Sequence, residues 1–532
     1  MALVYLLNKT IQMSDNKTLF IEKIQQSYSS KEPHIYLGAG ILNSEIISEA
    51  KVNLPLRMMN RHGLVAGATG TGKTRTLQVI AEQLSDAGVP TFLLDVKGDL
   101  SGLNKAGTTN ARLEERAQHL GITFNPSGFP VELYSLSGKL GAPMRATILE
   151  FGPVLLSKIL ELNDTQAGTV AVIFKYADDH KLPLLDLNDF KKVLAYLADG
   201  PGKEEIKDDY GKISTATSGT ILRKIVAVEQ QGVGSIFGEP SFDIKDLFER
   251  IDGKGVISLL NISDVQNQPD LYSTFLLSLL VEIYNTMPEV GDLDKPKLVF
   301  FFDEAHLLFK DVPKAFLEQI QQVVRLIRSK GIGIFFCTQS PTDIPESVLG
   351  QLGNRIQHAL RAFTPNDADN LKKTIKTYPR SEFYEIDKAL TSMGIGQALV
   401  TVLNEKGIPT EVSVTHLIPP RAVMGPLPAD EYKQLYLVSE LYAKYEKEVD
   451  PVSAHEILAD RINAINAATE KAANEAAETI TATTRTTTTR RAEKSTVEQV
   501  LSSPMSREIG RQVVRGIFGM LFGGSITTRK RR

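Results

Sequence analysis

Eight consecutive residues, Gly67, Ala68, Thr69, Gly70, Thr71, Gly72, Lys73 and Thr74, follow the pattern G-x-x-x-x-G-K-T. Each type has a task toward a polyphosphate. The glycines let backbone N–H groups curl around phosphate oxygens with no side chain in the way. Lys73 would reach the β- and γ-phosphates, and the Thr74 hydroxyl would ligate Mg²⁺. A second acidic pair, Asp303 and Glu304, closes the apolar run Leu298 to Phe302. At such a strand tip Asp303 would hold the hydration shell of the Mg²⁺, and Glu304 would act as general base on an attacking water. A carboxylate directly after the metal-side aspartate favours hydrolysis over transfer to a small acceptor. Taken singly, the first stretch is a glycine turn and the second an acidic strand end capping a helix. Taken together they describe an ATP–Mg²⁺ site.

The chemistry requires strands and helices that aim these residues. Gly63 to Ala66 reads as a buried strand and Thr76 to Leu84 as a helix ending near Gly88, so strand, loop and helix follow in the required order. Pro90 to Asp95 is a second core strand, joined to the first as a right-handed βαβ unit. The turn Asp95 to Asp99 falls on the ligand-binding edge of the sheet; there Lys97 or Asp99 approaches the nucleotide or a neighbouring subunit, or the turn is simply polar. Ile332 to Thr338 is a further strand. Its tip, Thr338-Gln339, reads as a γ-phosphate sensor or as a strand-end turn. Arg355 to Phe363 reads as another strand, and Ala398 to Leu403 with Glu411 to Leu417 as a closing hairpin.

The expected fold class is α/β: a P-loop NTPase core with a mainly parallel sheet flanked by helices, a helical insertion and a helical C-terminal extension. Residues 1–55 read as a short mixed segment packing on the core, and 56–420 as the ATPase domain. The interval between the two motifs exceeds what a minimal nucleotide-binding sheet needs. Helical periodicity over about 139–250 marks the insertion. Pro419-Pro420-Arg421 marks a boundary, followed by a helical extension over 421–480 that includes an amphipathic helix at Tyr432 to Tyr445. The Thr/Arg-rich stretch 481–504 has no means of burying a core and reads as a disordered linker. The tail 505–532 is apolar, glycine-rich and basic; it suits a helix docking on its own oligomer, a membrane surface or nucleic acid.

The chain of 532 residues is 42% hydrophobic and 23% charged, ordinary for a globular protein. Lys plus Arg number 60 against 63 Asp plus Glu, a net charge of −3, so any nucleic-acid surface must be local. In a ring it would line a central channel, from loops such as Lys139 to Arg145 or from Arg223-Lys224. The single cysteine, Cys337, lies in an apolar run and reads as buried. It excludes an internal disulfide and suits a reducing cytoplasm. No apolar stretch reaches the ~18 residues of a membrane span. Residues 2–7 lack the features of a signal peptide, and Met13 reads as the start of translation.

Gly67 to Thr74, Asp303-Glu304-Ala305-His306 and Thr338-Gln339 resemble the HerA/FtsK branch of RecA-like P-loop ATPases. Arg61-His62-Gly63, the Asp95 to Asp99 turn, Pro419-Pro420-Arg421 and Met424-Gly425-Pro426 are similar to the bacterial YjgR-type HerA-like proteins, over roughly residues 14 to 425. The resemblance implies a RecA-like fold, ATP with Mg²⁺, a ring, a hexamer by family, and ATP-driven movement on DNA as a helicase or translocase. It also implies an arginine that completes the site, from the same or the neighbouring subunit. Arg328, Arg355 and Arg61 are the positions that match, with Gln339 as sensor. HerA itself carries a β-barrel before the loop that the residues ahead of Gly67 do not provide, so a nuclease partner is not expected. Membrane spans of the FtsK type are absent. A nucleotide-dependent switch or assembly scaffold is the competing reading; a small-molecule kinase is disfavoured by Glu304.

Overall fold

The computed structural model describes residues 2–309, 312 and 314–485. Its organising element is one sheet of twelve strands. In chain order the strands are β1 (His34–Leu42), β2 (Glu45–Pro55), β3 (Gly63–Ala66), β4 (Thr91–Asp95), β5 (Val131–Ser135) and β6 (Ala142–Pro143). A separate ribbon, β7 (Arg250–Ile251) with β8 (Lys254–Gly255), precedes β9 (Ile257–Asn261), β10 (Leu298–Phe302), β11 (Ile332–Thr338), β12 (Asn354–His358), β13 (Gln397–Thr401) and β14 (Ser413–Leu417). Across the sheet the order is β2-β1-β14-β13-β12-β3-β11-β10-β4-β9-β5-β6. From β12 to β6 every pairing is parallel, and from β12 to β2 every pairing is antiparallel. The α/β class with a mainly parallel sheet is thus the fold of the protein.

The parallel strands are apolar on both faces because helices cover both faces. Every residue of β3, β4, β10 and β11 is buried. Phe301 of β10 lies opposite Phe335 of β11 and Leu93 of β4, its ring 5.4 Å from that of Phe335. The helix after the glycine loop, Lys73–Asp86, starts directly after Gly72, three residues before the start expected at Thr76.

The N-terminal segment belongs to the sheet. β1 and β2 form a hairpin, and β1 also pairs with β14. The helix Ala2–Tyr28 closes it, burying Phe20, Ile24 and Tyr28; the Tyr28 hydroxyl lies 2.9 Å from the Val400 carbonyl and 2.7 Å from that of Glu411. The Pro419-Pro420-Arg421 stretch also stays on the core. The amides of Arg421 and Ala422 donate to the two carboxylate oxygens of buried Glu82, at 2.8 and 3.0 Å. That ties the returning chain to the helix of the glycine loop.

Two further expected elements differ in extent. The strand expected to reach Phe363 ends at His358, because Ala359 bonds to the glycine loop instead of continuing the ladder. The helix expected over Tyr432 to Tyr445 is two, Ala429–Leu437 and Glu440–Tyr445. Ser439 divides them by accepting the amides of Leu441 and Tyr442 on its hydroxyl, a serine's usual role at a helix start.

The chain divides into two compact units. One holds the sheet: residues 1–174, 185–187 and 220–450. The other holds, among the described residues, 175–184, 188–219 and 451–485. Within the second, the hydroxyls of Tyr176 and Tyr196 converge on the Glu205 carboxylate. There too Ser453, just before the helix Ala454–Arg485, donates to Asp189. That helix runs past position 481; residues 486–504 of the expected linker and the tail 505–532 lie outside the described residues.

Phe301→Ala should lower the unfolding free energy by about 3–5 kcal/mol through lost burial and a residual cavity. Urea denaturation followed by far-UV circular dichroism measures it, and a loss below about 1 kcal/mol would show that this strand is not central to the core.

Candidate functional site

In a parallel sheet the strands all end on one edge, and loops there face one space. β3 delivers the glycine loop to that edge, β11 delivers Thr338-Gln339, and β10 delivers Asp303-Glu304. β11 stands between the other two, with Phe302 opposite Phe336 and Ala66 opposite Thr338.

The loop is strung between both neighbours of β3. The Gly67 amide donates to the Thr338 carbonyl at 3.2 Å, and the Ala68 amide to the Ala359 carbonyl at 2.9 Å. A Cβ on Gly67 would stand 2.5 Å from the His358 Cβ, so the close approach of β12 requires glycine. Gly70 is different. A Cβ there would meet nothing within 4 Å, but its φ of 79° is left-handed and its open side is the space a phosphate needs. Thr69 and Gly70 are exposed at the crest, and the Thr71 hydroxyl donates to the Ala68 carbonyl at 2.7 Å. Lys73 is buried, its ammonium donating to the carbonyls of Gly67 at 2.8 Å and Ala68 at 3.3 Å. The amides of Lys73 and Thr74, in the first helical turn, point outward unpaired by helix geometry. These groups fit a nucleotide polyphosphate.

Asp303 is buried. Burial raises its carboxyl above the ordinary range, against a hydrogen bond from the Cys337 thiol and one from the Glu304 amide. A cation at this tip would relieve that cost. Among the described residues no cluster of three His, Cys, Asp or Glu could hold a metal. Mg²⁺ would therefore take Thr74, the Asp303 side and the nucleotide's own oxygens, which suits an ion that keeps much of its water. Glu304 has φ 47° and ψ 45°, a left-handed backbone that a glutamate seldom adopts. Its Oε1 stands 3.4 Å from Lys97 Nζ and its Oε2 3.5 Å from His306 Nδ1.

The Lys97 turn is itself built. The buried Asp95 carboxylate accepts the amides of Asp99 and Leu100 at 3.1 and 3.0 Å; burial pushes its pKa up to about 6. Burial lowers the Lys97 ammonium, and the carboxylates of Glu304 and Asp303 outweigh this, so its pKa stands above the usual lysine value.

Gln339 is exposed at the β11 tip. The Thr338 hydroxyl is engaged by Asp343 at 2.7 Å. The three arginines stand elsewhere. Arg61 and Arg328 precede β3 and β11, and Arg355 is the second residue of β12, so all three sit toward the opposite ends of their strands from the glycine loop. Arg61 and Arg328 both act on buried His62, whose ring bridges the Val324 carbonyl and the Ile334 amide. Arg355 donates to the Thr377 carbonyl at 2.9 Å, and Arg328 is exposed. Arg145, expected in a basic lining, is buried instead, donating to the Tyr445 carbonyl at 2.7 Å. Its length spans to a neighbouring backbone rather than to solvent.

Two participants had no sequence signal. His358 is buried beside the loop, its Nε2 2.9 Å from the Thr76 hydroxyl. Burial, and then the Lys73 charge, lower its pKa to about 4, so it is a neutral packing and hydrogen-bonding group. The turn Gly394 to Gly396 reaches the loop through the Gly396 amide, which donates to the Thr71 carbonyl at 3.1 Å. Only neighbours in space reveal either one.

A family model described as Helicase HerA-like C-terminal matches residues 41–531. The DNA double-strand break repair helicase HerA of Sulfurisphaera tokodaii is 21% identical over 66% of this chain and 64% of its own length. The chain thus spans under two thirds of that relative. The DNA import protein CedB of Sulfolobus acidocaldarius is 23% identical over 73% of this chain and 57% of that protein. Among solved structures, the plasmid coupling protein TrwB with a non-hydrolysable ATP analogue has a TM-score of 0.48 and 13% identity, over 75% of this chain and 99% of that one. No helix among the described residues is long and apolar enough to cross a membrane.

Lys73→Ala should weaken binding of ATP–Mg²⁺ at least tenfold, as loss of a charge-assisted contact of about 1.5–3 kcal/mol implies. Isothermal titration calorimetry measures this, and unchanged affinity would remove Lys73 from the phosphate site.

Proposed function

The chain belongs to the helicase HerA-like C-terminal family, and we propose that it is a Mg²⁺-dependent ATPase whose ring-shaped oligomer, a hexamer in this reading, couples hydrolysis to movement on DNA. The observation that carries the ATPase part is the convergence of Lys73, Asp303 and Glu304 on one sheet edge across β11. Lys73 and the loop amides hold the β- and γ-phosphates. Thr74 and Asp303 hold the Mg²⁺, which neutralises charge on the phosphate oxygens. Glu304 takes the proton of the attacking water, and Gln339 stands near enough in the sheet order to report on the γ-phosphate.

A finger arginine would come from the neighbouring subunit. Support lies in the position of Arg61, Arg328 and Arg355 toward the strand ends away from their own chain's loop. Exposed Arg328 is the best placed, whereas Arg355 is occupied with backbone carbonyls. An arginine finger contributes about 10³–10⁵ in rate in well-studied GTPases.

The DNA part rests on the family and on the named relatives, one a DNA repair helicase and one a DNA import protein. Lys139 and Arg223 are exposed basic residues on a body of net charge −3.

Glu304→Gln should bind ATP–Mg²⁺ normally and hydrolyse it about 10²–10⁴-fold more slowly; near-normal turnover would end its role as base. Mixing Arg328→Ala with Lys73→Ala should restore activity that neither variant has alone, since each supplies what the other lacks. No rescue would place the completing group within one subunit. DNA should raise turnover at low salt, with binding that falls at a log–log slope of about −0.9 per phosphate contact on duplex. If DNA neither binds nor alters turnover, the ATPase is a switch or assembly scaffold.

A further inference from the structure

Glu304 is the residue whose freedom decides hydrolysis, and it is not free. Lys97 stands 3.4 Å from its Oε1. The 3.5 Å separation of His306 from Oε2 is too long for a hydrogen bond, so Oε2 is buried without one among the described residues. Among the described residues Lys97 is thus the cation paired with this carboxylate, and the turn that carries it is fixed by the two amides donating to Asp95. Arg75 faces Asp99, in the same turn as Lys97, at 4.0 Å.

The side from which Lys97 pulls follows from the strand order. β10, which carries Glu304, lies between β11 and β4. The glycine loop follows β3, on the far side of β11. Lys97 follows β4, on the other flank of β10. Neighbouring strands are about 4.8 Å apart, so the phosphate loop starts roughly 10 Å to one side of Glu304 and Lys97 stands to the other. One carboxylate cannot serve both.

We propose that Lys97 is a positioning residue that parks the Glu304 carboxylate on the β4 side, away from the phosphate loop, and that hydrolysis requires this ion pair to open. The proposal rests on the ATPase reading above. In the parked state the carboxylate's lone pairs face an ammonium, and a water beside the γ-phosphate has no base within reach. The pair is easily opened. The Lys97 side chain is 51% exposed, so water screens it and an approaching phosphodiester can take the ammonium in its place. The restraint then belongs to basal turnover, and release belongs to contact with a polyanion.

The test is steady-state ATP turnover by the full chain without nucleic acid. Lys97→Met should raise kcat about two- to fivefold, the size of a partly exposed ion pair, with KM changed less than kcat. Lys97→Arg should keep the parent rate, because it restores a cation at the same place. Lys97→Gln serves as a second neutral variant should methionine disturb the turn. Adding Glu304→Gln to Lys97→Met should cancel the gain, which shows that the extra turnover runs through Glu304. A parent that hydrolyses ATP with no gain, or a loss, in both neutral variants overturns this role alone. A parent without turnover and variants without gain overturn the ATPase reading and this role with it.

Discussion

The two hydrogen bonds that fasten the glycine loop, Gly67 to Thr338 and Ala68 to Ala359, are the constraint on which the rest of the site depends. They join the loop to the ends of both strands that flank β3. The loop cannot shift without moving β11 or β12, and both are buried members of one parallel sheet. Pairing of this kind fixes the loop before any ligand arrives, and a preorganised loop loses less binding energy to ordering. The same fastening explains two local features. β12 ends at His358 because the next carbonyl is committed to the loop, and Gly67 must be glycine because His358 stands against it.

Around this frame the charges are arranged in a row along the sheet edge. Lys73 is buried on one side of β11, Asp303 and Glu304 lie on the other, and Lys97 stands beyond them. Lys73, Asp303 and the Oε2 of Glu304 are buried, and a buried charge is costly unless it is paired. Lys73 meets that cost with two loop carbonyls, Asp303 with an amide and a thiol, and Glu304 with Lys97. Each of these partners is weaker than a polyphosphate or a divalent cation. These are partners that a ligand could replace, and Glu304 among them also carries a left-handed backbone.

The contacts that hold the returning chain serve the same end. Glu82, on the helix that leaves the glycine loop, takes the amides of Arg421 and Ala422. The segment that looked like a boundary in the sequence is thereby a brace on the loop's own helix. β14, just before it, pairs with β1, so the N-terminal hairpin, the closing hairpin and the loop helix are one packed assembly.

The sequence by itself determined the phosphate loop, the acidic strand tip, the apolar strands that carry them and the α/β class. Those features are local: a glycine pattern, a run of five apolar residues and a carboxylate at its end are written in adjacent positions. Family resemblance added membership of the helicase HerA-like C-terminal family. Only the tertiary structure decided what depends on strand order, because neighbours in a sheet are distant in sequence. It put β11 between the loop and the acids, His358 under Gly67, and Arg61, Arg328 and Arg355 toward the strand ends opposite the loop. It also set Lys97 on the far flank of Glu304, a position no spacing could give. It buried Arg145, which reads as exposed and basic, because a backbone carbonyl at Tyr445 was near enough to take its guanidinium.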